Sequence, residues 1–366
     1  MTDDDTPAVG PRPLRRFWRS ASGFWLGAGS WIPWSLIGLL VVCVIFQLLV
    51  QYRLNLWNRD FFNALEQRAA GGIRQQAYLL PFLAAASIAI AATAVWGRMT
   101  FQRRWRGWLT DYLLGLWLDN DRYRRLDAGA PEPQLAEYRI AEDARIATDA
   151  PIDLLVGLLA SLLTAGTFVA VLWTVGGSLE IISFDATVEL PGYLVFASIV
   201  YAMVATAAMI VVGRNMADVI ERKNQAESEL KFAVARLREG TVDSAEGITT
   251  RQSAPIGFAL FEVMRQWRRL CGQHVRTTLV SHANTLLAPL IGLILCVPKY
   301  IYGPMSLGEV TQAAAAFAAV QGAFNWLVDN YPRLAEWASS ASRVGHLLFA
   351  LDLAAPPVRT DSIVGS

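Results

Sequence analysis

Long apolar runs alternate with charged segments along this chain. Each run approaches the ~20 residues that cross a ~30 Å hydrocarbon layer as a helix. The pattern predicts six membrane-spanning helices, near 31–52, 78–97, 151–174, 191–213, 278–300 and 307–328. The last run is rich in Ala, Gly and Gln, a composition typical of a helix that packs against other helices or lines a cavity.

Basic residues are distributed unevenly between these runs. Lys and Arg number nine in 98–150 and eleven in 214–277, whereas 175–190 has none. Because cytoplasmic loops carry an excess of Lys and Arg, we expect both long segments and both termini to be cytoplasmic. The four arginines that follow span 1 disagree with this orientation, namely Arg53, Arg59, Arg68 and Arg74.

Both long segments carry helical periodicity. Apolar residues recur at helical spacing from Met99 to Leu116, so span 2 is expected to continue for many turns beyond the membrane. A Gly- and Pro-containing turn at 127–134 precedes a helix that returns into span 3. The segment after span 4 repeats this plan, and the sequence therefore predicts two cytoplasmic helical hairpins. The 175–190 segment is read as an outer loop, with Pro191 in the first turn of span 4.

Composition narrows the class of protein. The chain of 366 residues is 54% hydrophobic with 17% charged residues, which fits spans joined by substantial polar parts. A net charge of +1 argues against nucleic-acid binding. The three cysteines and three histidines are too scattered for a disulfide framework or a metal site. Residues 1–30 resemble a basic, aromatic segment at the membrane interface and not a signal peptide.

No motif for nucleotide chemistry is present. The phosphate-binding loop needs glycines followed by a Lys, and none of Lys223, Lys231 and Lys299 follows that pattern. No protease or hydrolase motif occurs either. These absences predict a membrane protein that is not an enzyme and has no cofactor of its own, and in which ATP and magnesium would act, if at all, only through a partner ATPase.

An ordered series of motifs carries a resemblance to a known family. These are "LNLWNRDFFNALEQR" after span 1, "YRIAEDARIATDAPIDL" before span 3, "LPGYLVFASIVYA" in span 4, "ESELKFAVARLREG" after it, and "VPKYIYGPMSLGEV" at span 6. The chain resembles the SbmA/BacA-like transporters and the ABC transporter transmembrane domains shared with peroxisomal fatty-acyl half-transporters. The resemblance implies an all-α membrane protein with the exporter-type fold, its six spans in 31–350 and a tail or linker at 351–366.

The resemblance implies transport, and two energy sources stay open. In the first, the chain is the permease subunit of a bacterial inner-membrane ABC system, a homodimer that moves peptides, cobalamin-like or other bulky substrates by alternating access. In the second, it is a proton-driven peptide importer. Mid-span carboxylates would favour the second, but the acidic residues of the spans lie near predicted ends, at Asp149, Asp153, Glu180, Glu189, Glu309 and Asp329. A membrane scaffold or receptor is a remote third reading.

Two groups of residues are candidates for function. Polar or amphipathic groups at membrane depth could line a substrate cavity, or form hydrogen bonds between helices: Gln47, His282, Asn284, Gln312, Gln321, Asn325 and Trp326. Charged groups on the hairpins could couple the spans to an ATPase, or form local ion pairs along one helix: Arg139, Glu142, Asp143, Glu227, Glu229, Lys231, Arg236, Arg238 and Glu239.

Overall fold

The computed structural model describes residues 13–27, 29–129, 135–183, 186–242 and 250–353. Almost all of them are helical, as the sequence predicts. The helices are α1 (Pro13–Leu26), α2 (Trp31–Glu66), α3 (Ala70–Leu118), α4 (Arg122–Gly129), α5 (Leu135–Tyr138), α6 (Ala144–Gly176), α7 (Tyr193–Gly213), α8 (Met216–Val242), α9 (Thr250–Tyr302) and α10 (Leu307–Leu353). A 3₁₀ turn at Asp119–Asp121 and a π-helical turn at Arg139–Asp143 complete the helical segments described. The predicted segments 1–30 and 351–366 lie partly outside the described residues.

Five of these helices are long and apolar enough to cross a membrane. They contain the predicted spans 1, 2, 3 and 5, and all of span 4 except Pro191 and Gly192. The sixth predicted span, 307–328, lies within the continuous helix α10, which does not meet the same criterion of length and hydropathy. The helical nature of that segment is confirmed, whereas the count of six spans is not. Small buried residues of α10, among them Ala313, Ala314 and Ala316, agree with a helix packed against others.

The segment between α6 and α7 differs from the expected loop. It contains strands β1 (Ser178–Ser183) and β2 (Ala186–Pro191), which pair antiparallel with Ser178 opposite Pro191. Pro191 therefore ends a strand, and the prediction that it occupies the first turn of span 4 is wrong. Gly192 takes a left-handed φ of 65° before α7 begins, and a Cβ there would approach the Trp173 ring to 2.4 Å. Only glycine fits both constraints.

The chain divides into two compact units. The first contains residues up to Phe168 together with those from Trp326 onward, and the second contains Val169–Asn325. A hydrophobic core in the first unit joins α1, α2, α3, α6 and α10, with Phe17, Phe101 and Trp105 fully buried. Aromatic rings of α1 continue this core, since Phe24 stacks on Trp105 with ring centroids 6.0 Å apart. This core fixes the helices that carry the ion pairs described below.

Candidate functional site

An ion pair joins two helices of the first unit that are distant in sequence. The guanidinium of Arg343 on α10 donates to both carboxylate oxygens of Asp143, at 2.8 and 2.6 Å. The same guanidinium also donates to the hydroxyls of Ser339 and Ser340, at 2.6 and 2.8 Å. The Asp143 side chain is 1% exposed and the Arg343 side chain 43%. This is a buried carboxylate held bidentately by a partly exposed guanidinium, the strongest geometry for such a pair.

The π-helical turn explains why Asp143 is buried. Residues Arg139–Asp143 form one wide turn between α5 and α6, and both Ile140 and Asp143 face inward from it. A π turn inserts an extra residue per turn and therefore shifts the faces of the helix that follows. Ala144, Ala147 and Thr148 are then buried along the start of α6. Such turns occur often at functional sites.

A second carboxylate, that of Asp153, is contacted by three side chains. Arg98 of α3 lies 3.4 Å from one of its oxygens, and Gln102 of α3 donates to the same oxygen at 3.0 Å. Arg333 of α10 donates to the other oxygen. Gln102 also donates to the backbone carbonyl of Asp149 at 2.8 Å. The Asp153 side chain is 10% exposed, so its charge is largely withdrawn from water and is balanced by these donors.

The two carboxylates have the same spacing along the chain as their two arginine partners. Asp143, the last residue of the π-helical turn that leads into α6, and Asp153 on α6 are ten residues apart. Arg343 and Arg333 are ten residues apart on α10, in the opposite order. At a rise of 1.5 Å per residue the two pairs are separated by about 15 Å along antiparallel helices. Between them the indole N–H of Trp337 donates to the carbonyl of Ala147 at 3.3 Å. We call Asp143, Asp153, Arg333 and Arg343 the α6–α10 clamp.

Hydrogen bonding favours the charged state of the Arg343 guanidinium in this clamp. Hydrogen bonding to Asp143 raises the pKa of Arg343, whereas partial burial lowers it. Both ends of the α10 segment from Arg333 to Arg343 are therefore fixed to α6 by charge-assisted hydrogen bonds. Any movement of that segment must carry α6 with it or break a buried pair.

The other candidates of the first hairpin behave differently from Asp143. Glu142 pairs with Arg145 at 2.5 Å, a local contact three residues along the helix. That hydrogen bond lowers the pKa of Glu142. Burial opposes it, and weaker electrostatic contributions from Arg145 and Arg106 act in the same direction as the hydrogen bond. Arg139 is half-buried, and its Nε has no hydrogen-bond partner among the described residues. Glu142 therefore forms a local ion pair along one helix, which is the alternative to a coupling role, whereas Asp143 connects separate helices.

The candidates of the second hairpin lie on the α8–α9 pair. Glu227 forms an ion pair with Lys223 at 3.2 Å and accepts a hydrogen bond from the indole of Trp267 on α9, also at 3.2 Å. Glu229 accepts a 3.4 Å hydrogen bond from Gln225. Lys231 and Arg236 are exposed. The side chains of Arg238 and Glu239 lie outside those that the structure describes. Glu227 thus fastens the two helices together.

Most of the predicted cavity residues belong to the second unit. Gln321 is 1% exposed, and its amide donates to the carbonyl of Ser198 on α7 at 2.8 Å. Asn284 and Gln312 are also buried, Asn325 is half-buried and His282 is exposed. Within the described part of the chain, the buried side-chain oxygens of Gln321 and Asn284 accept no hydrogen bond from protein. Polar side chains from α9 and α10 thus lie inside the helical packing of this unit.

Two predicted cavity residues belong to the first unit. Gln47 on α2 donates to the hydroxyl of Ser87 on α3 at 3.0 Å, which is a hydrogen bond between helices. The Trp326 indole packs against Gly157, where a Cβ would come within 2.7 Å of its Nε1. For Gln47 and Gln321 the structure shows the helix-to-helix alternative, and the assignment of all seven to a substrate cavity stays a prediction.

Comparison with known families decides the class of protein. The family described as ABC transporter transmembrane region 2 matches residues 25–301, well over half of the chain. The chain belongs to this family. It is therefore a multi-pass membrane protein built on an ABC transporter transmembrane region, which confirms the resemblance at this level.

Several relatives are similar over most of this transmembrane region. The inner membrane ABC transporter ATP-binding protein YddA of Escherichia coli (strain K12) is 24% identical over 324 residues, which cover 88% of this chain and 58% of the relative. The chloroplastic ABC transporter D family member 2 of Arabidopsis thaliana is 21% identical over 350 residues, or 92% of this chain and 46% of the relative. The chain spans about half the length of these curated relatives.

Sequence reasoning missed most of this transmembrane region's clamp. Asp143 was a candidate, and Asp153 was noted only as an acidic residue near a span end. Arg333 and Arg343 of the clamp, and Arg98 beside it, were not candidates. The available signal was the equal spacing of ten residues between two acidic residues on one predicted helix and two arginines on another.

Proposed function

We propose that this chain is the permease part of an ABC-type transporter that moves peptides, cobalamin-like or other bulky substrates by alternating access. The family membership carries this proposal, and the resemblance to SbmA/BacA-like transporters suggests the substrate classes. The bacterial relative named as an inner membrane protein supports placement in a bacterial inner membrane. The basic residues of 98–150 and 214–277 support cytoplasmic termini.

ATP hydrolysis would be supplied by another chain or by a further domain, and this chain would not itself be an enzyme. Two of its three lysines already have structural partners in the described region. Lys223 pairs with Glu227, and Lys299 donates to the carbonyl of Gly176. Neither is available to hold a nucleotide phosphate in this conformation. The names of several relatives as ATP-binding proteins agree with an ATPase that acts on this type of transmembrane region.

The α6–α10 clamp is the coupling element in this proposal. It fastens α10 to the return helix of the first hairpin over about three helical turns. A force applied to the hairpin would then move α10 as a rigid lever instead of bending it. Glu142, with its local pair, would contribute little to this transmission.

A homodimer would complete the translocation path. Large apolar side chains are exposed on α8 and α9 outside the predicted spans, among them Phe232 (68% exposed), Phe258 (73%) and Phe261 (55%). Apolar surface of this kind on helices expected in water indicates an interface. A second copy, related by two-fold symmetry, is the proposed occupant. Native mass spectrometry of the purified chain should show dimers, and a Phe258→Glu, Phe261→Glu variant should shift them to monomers.

Reconstituted transport tests the energy source. The chain in proteoliposomes, with and without its candidate ATPase, is given a fluorescent peptide panel under either ATP or an imposed proton gradient. We expect uptake only with ATP and the ATPase present. Uptake under a proton gradient alone would establish the proton-driven alternative. No transport under either condition, with a folded monomer, would favour a scaffold or receptor.

A further inference from the structure

One face of α9 is buried against α10 within the second unit. Asn284, Ala288 and Gly292 recur every four residues along α9 and are all buried, so they share one face of that helix. A Cβ at Gly292 would lie 3.0 Å from both the Cα of Ala314 and the Cβ of Phe317 on α10. The two helices therefore pack closely at this point, and Asn284 lies on the α9 face that makes the contact.

Gln321 lies on the opposing face of α10. It follows Phe317 by four residues and is 1% exposed. Only residues 303–306 separate the two helices, and the contact lies seven to ten residues from that connection, so α9 and α10 run antiparallel. Asn284 is about 12 Å from Gly292 along α9, and Gln321 is about 6–10 Å from the contact along α10, in the same direction. The two amides therefore lie within about 6 Å of each other along the helix axes.

The hydrogen bond of Gln321 fixes the direction of its amide. Its Nε2 donates to the backbone carbonyl of Ser198 on α7 at 2.8 Å. A carbonyl can only accept, so the amide nitrogen must face Ser198 and Oε1 must lie on the other side. Oε1 of Gln321 and Oδ1 of Asn284 are both buried, and neither accepts a hydrogen bond from the residues that the structure describes. Two acceptors on facing helices thus need a donor.

Both acceptors lie deep in the predicted hydrocarbon layer. Asn284 is six residues from the start of predicted span 5 (278) and Gln321 is seven from the end of predicted span 6 (328), so each lies about 10 Å from the same edge. Lipid tails offer no donor at that depth, and an unsatisfied buried acceptor is costly. Ala288, one turn from Asn284, and Ala202, one turn from Ser198, are buried small neighbours that leave space for a small donor.

We propose that a single buried water donates one hydrogen bond to Oδ1 of Asn284 and one to Oε1 of Gln321. A water has two donors for the two acceptors, and buried waters typically bond to otherwise unsatisfied polar groups. A metal cation fits less well, because hard cations take about six or more oxygen ligands and two amide oxygens are too few. The water completes a hydrogen-bonded chain from Ser198 through Gln321 to Asn284, which joins α7, α10 and α9. This site does not depend on the proposed transport function.

Cryo-electron microscopy of the full chain in lipid nanodiscs, at a resolution that shows ordered water, tests the site directly. We expect a density peak about 2.7–3.0 Å from both oxygens in the wild type. The peak should be absent in Asn284→Leu, whose side chain is nearly isosteric. A wild-type structure without the peak, or with a direct hydrogen bond between the two amides, would overturn the proposal.

A double-mutant cycle measures whether the two amides share a ligand. Asn284→Leu and Gln321→Met each remove one partner of the water, so the second change has less to lose. We expect the unfolding equilibrium constant of the double variant to be about fivefold smaller than the product of the single effects predicts.

Ser198→Ala is the matched control for this cycle. It removes a hydroxyl that bonds to Val195, and it leaves the backbone carbonyl that accepts from Gln321. Its effect should combine with that of Asn284→Leu to within about twofold of the product. Coupling as large as in the test pair would assign the effect to packing and overturn the proposal. Wild-type stability should be equal in sodium, potassium and choline salts, and a requirement for one metal ion would show a cation in place of the water.

Discussion

Replacement of Arg343 by Gln should destabilise the first unit markedly. The change leaves the carboxylate of Asp143, 1% exposed, without its cationic partner and without two hydrogen bonds of 2.8 and 2.6 Å. Breaking a buried ion pair from one side costs about 3–5 kcal/mol. Because the Arg343 side chain is 43% exposed, water screens the pair, and we expect about 2–3 kcal/mol.

Asp143→Asn should cost less, about 1–2 kcal/mol, because the amide oxygen can still accept one hydrogen bond. The double variant should be less destabilised than the sum of the single variants, with a coupling free energy of about 1–2 kcal/mol. Unfolding of the purified chain in detergent, followed by tryptophan fluorescence against denaturant, measures each value. Two-state unfolding of each variant must be verified first.

Glu142→Gln is the control for this cycle. Its pair with Arg145 is local and its side chain is 38% exposed, so we expect a change within about 0.5 kcal/mol. If Arg343→Gln destabilised the protein no more than Glu142→Gln, the interpretation of the clamp as a buried brace would be refuted. A coupling free energy near zero between positions 143 and 343 would refute it equally.

Three further predictions use the same unfolding measurement. Asp153→Asn should cost about 1–3 kcal/mol, because it weakens contacts from two arginines and one glutamine at a side chain that is 10% exposed. Gly292→Ala should destabilise by about 1–3 kcal/mol, because the new Cβ would lie 3.0 Å from the Ala314 Cα, whereas Gly213→Ala, in open space, should be neutral or slightly stabilising. Lys299→Met should lower stability by about 1–2 kcal/mol through loss of its hydrogen bond to a backbone carbonyl.

Helices were predictable here because their signals are long and repetitive. Apolar runs of about twenty residues and periodic aromatic residues on α3 each extend over several turns, so a local error does not remove the pattern. The β-hairpin before α7 was not predicted, since each strand has only six residues. So short a run contains too few alternations of apolar and polar positions to distinguish a strand from a loop.

The candidate site was predictable only at Asp143. Its neighbour Glu142 has the same charge and a basic residue three positions away. From sequence alone, a local ion pair along one helix therefore fits either residue equally well. The distinction comes from the π-helical turn, which has no reliable sequence signal and which directs Asp143 towards α10. The partner, Arg343, is 200 residues away in sequence, and only the packing of α6 against α10 brings the two together.

The clamp also limits how this transmembrane region can move. Two pairs about 15 Å apart resist both sliding and rotation of α10 against α6, whereas a single pair would act as a pivot. A transition of this part of the region that preserved both pairs must therefore move α6 and α10 as one body. A transition that separated them must expose Asp143 and Asp153 to water first, because an unpaired buried carboxylate is too costly. The first route needs no such exchange, and it is the one that the proposed coupling of an ATPase to the spans would use.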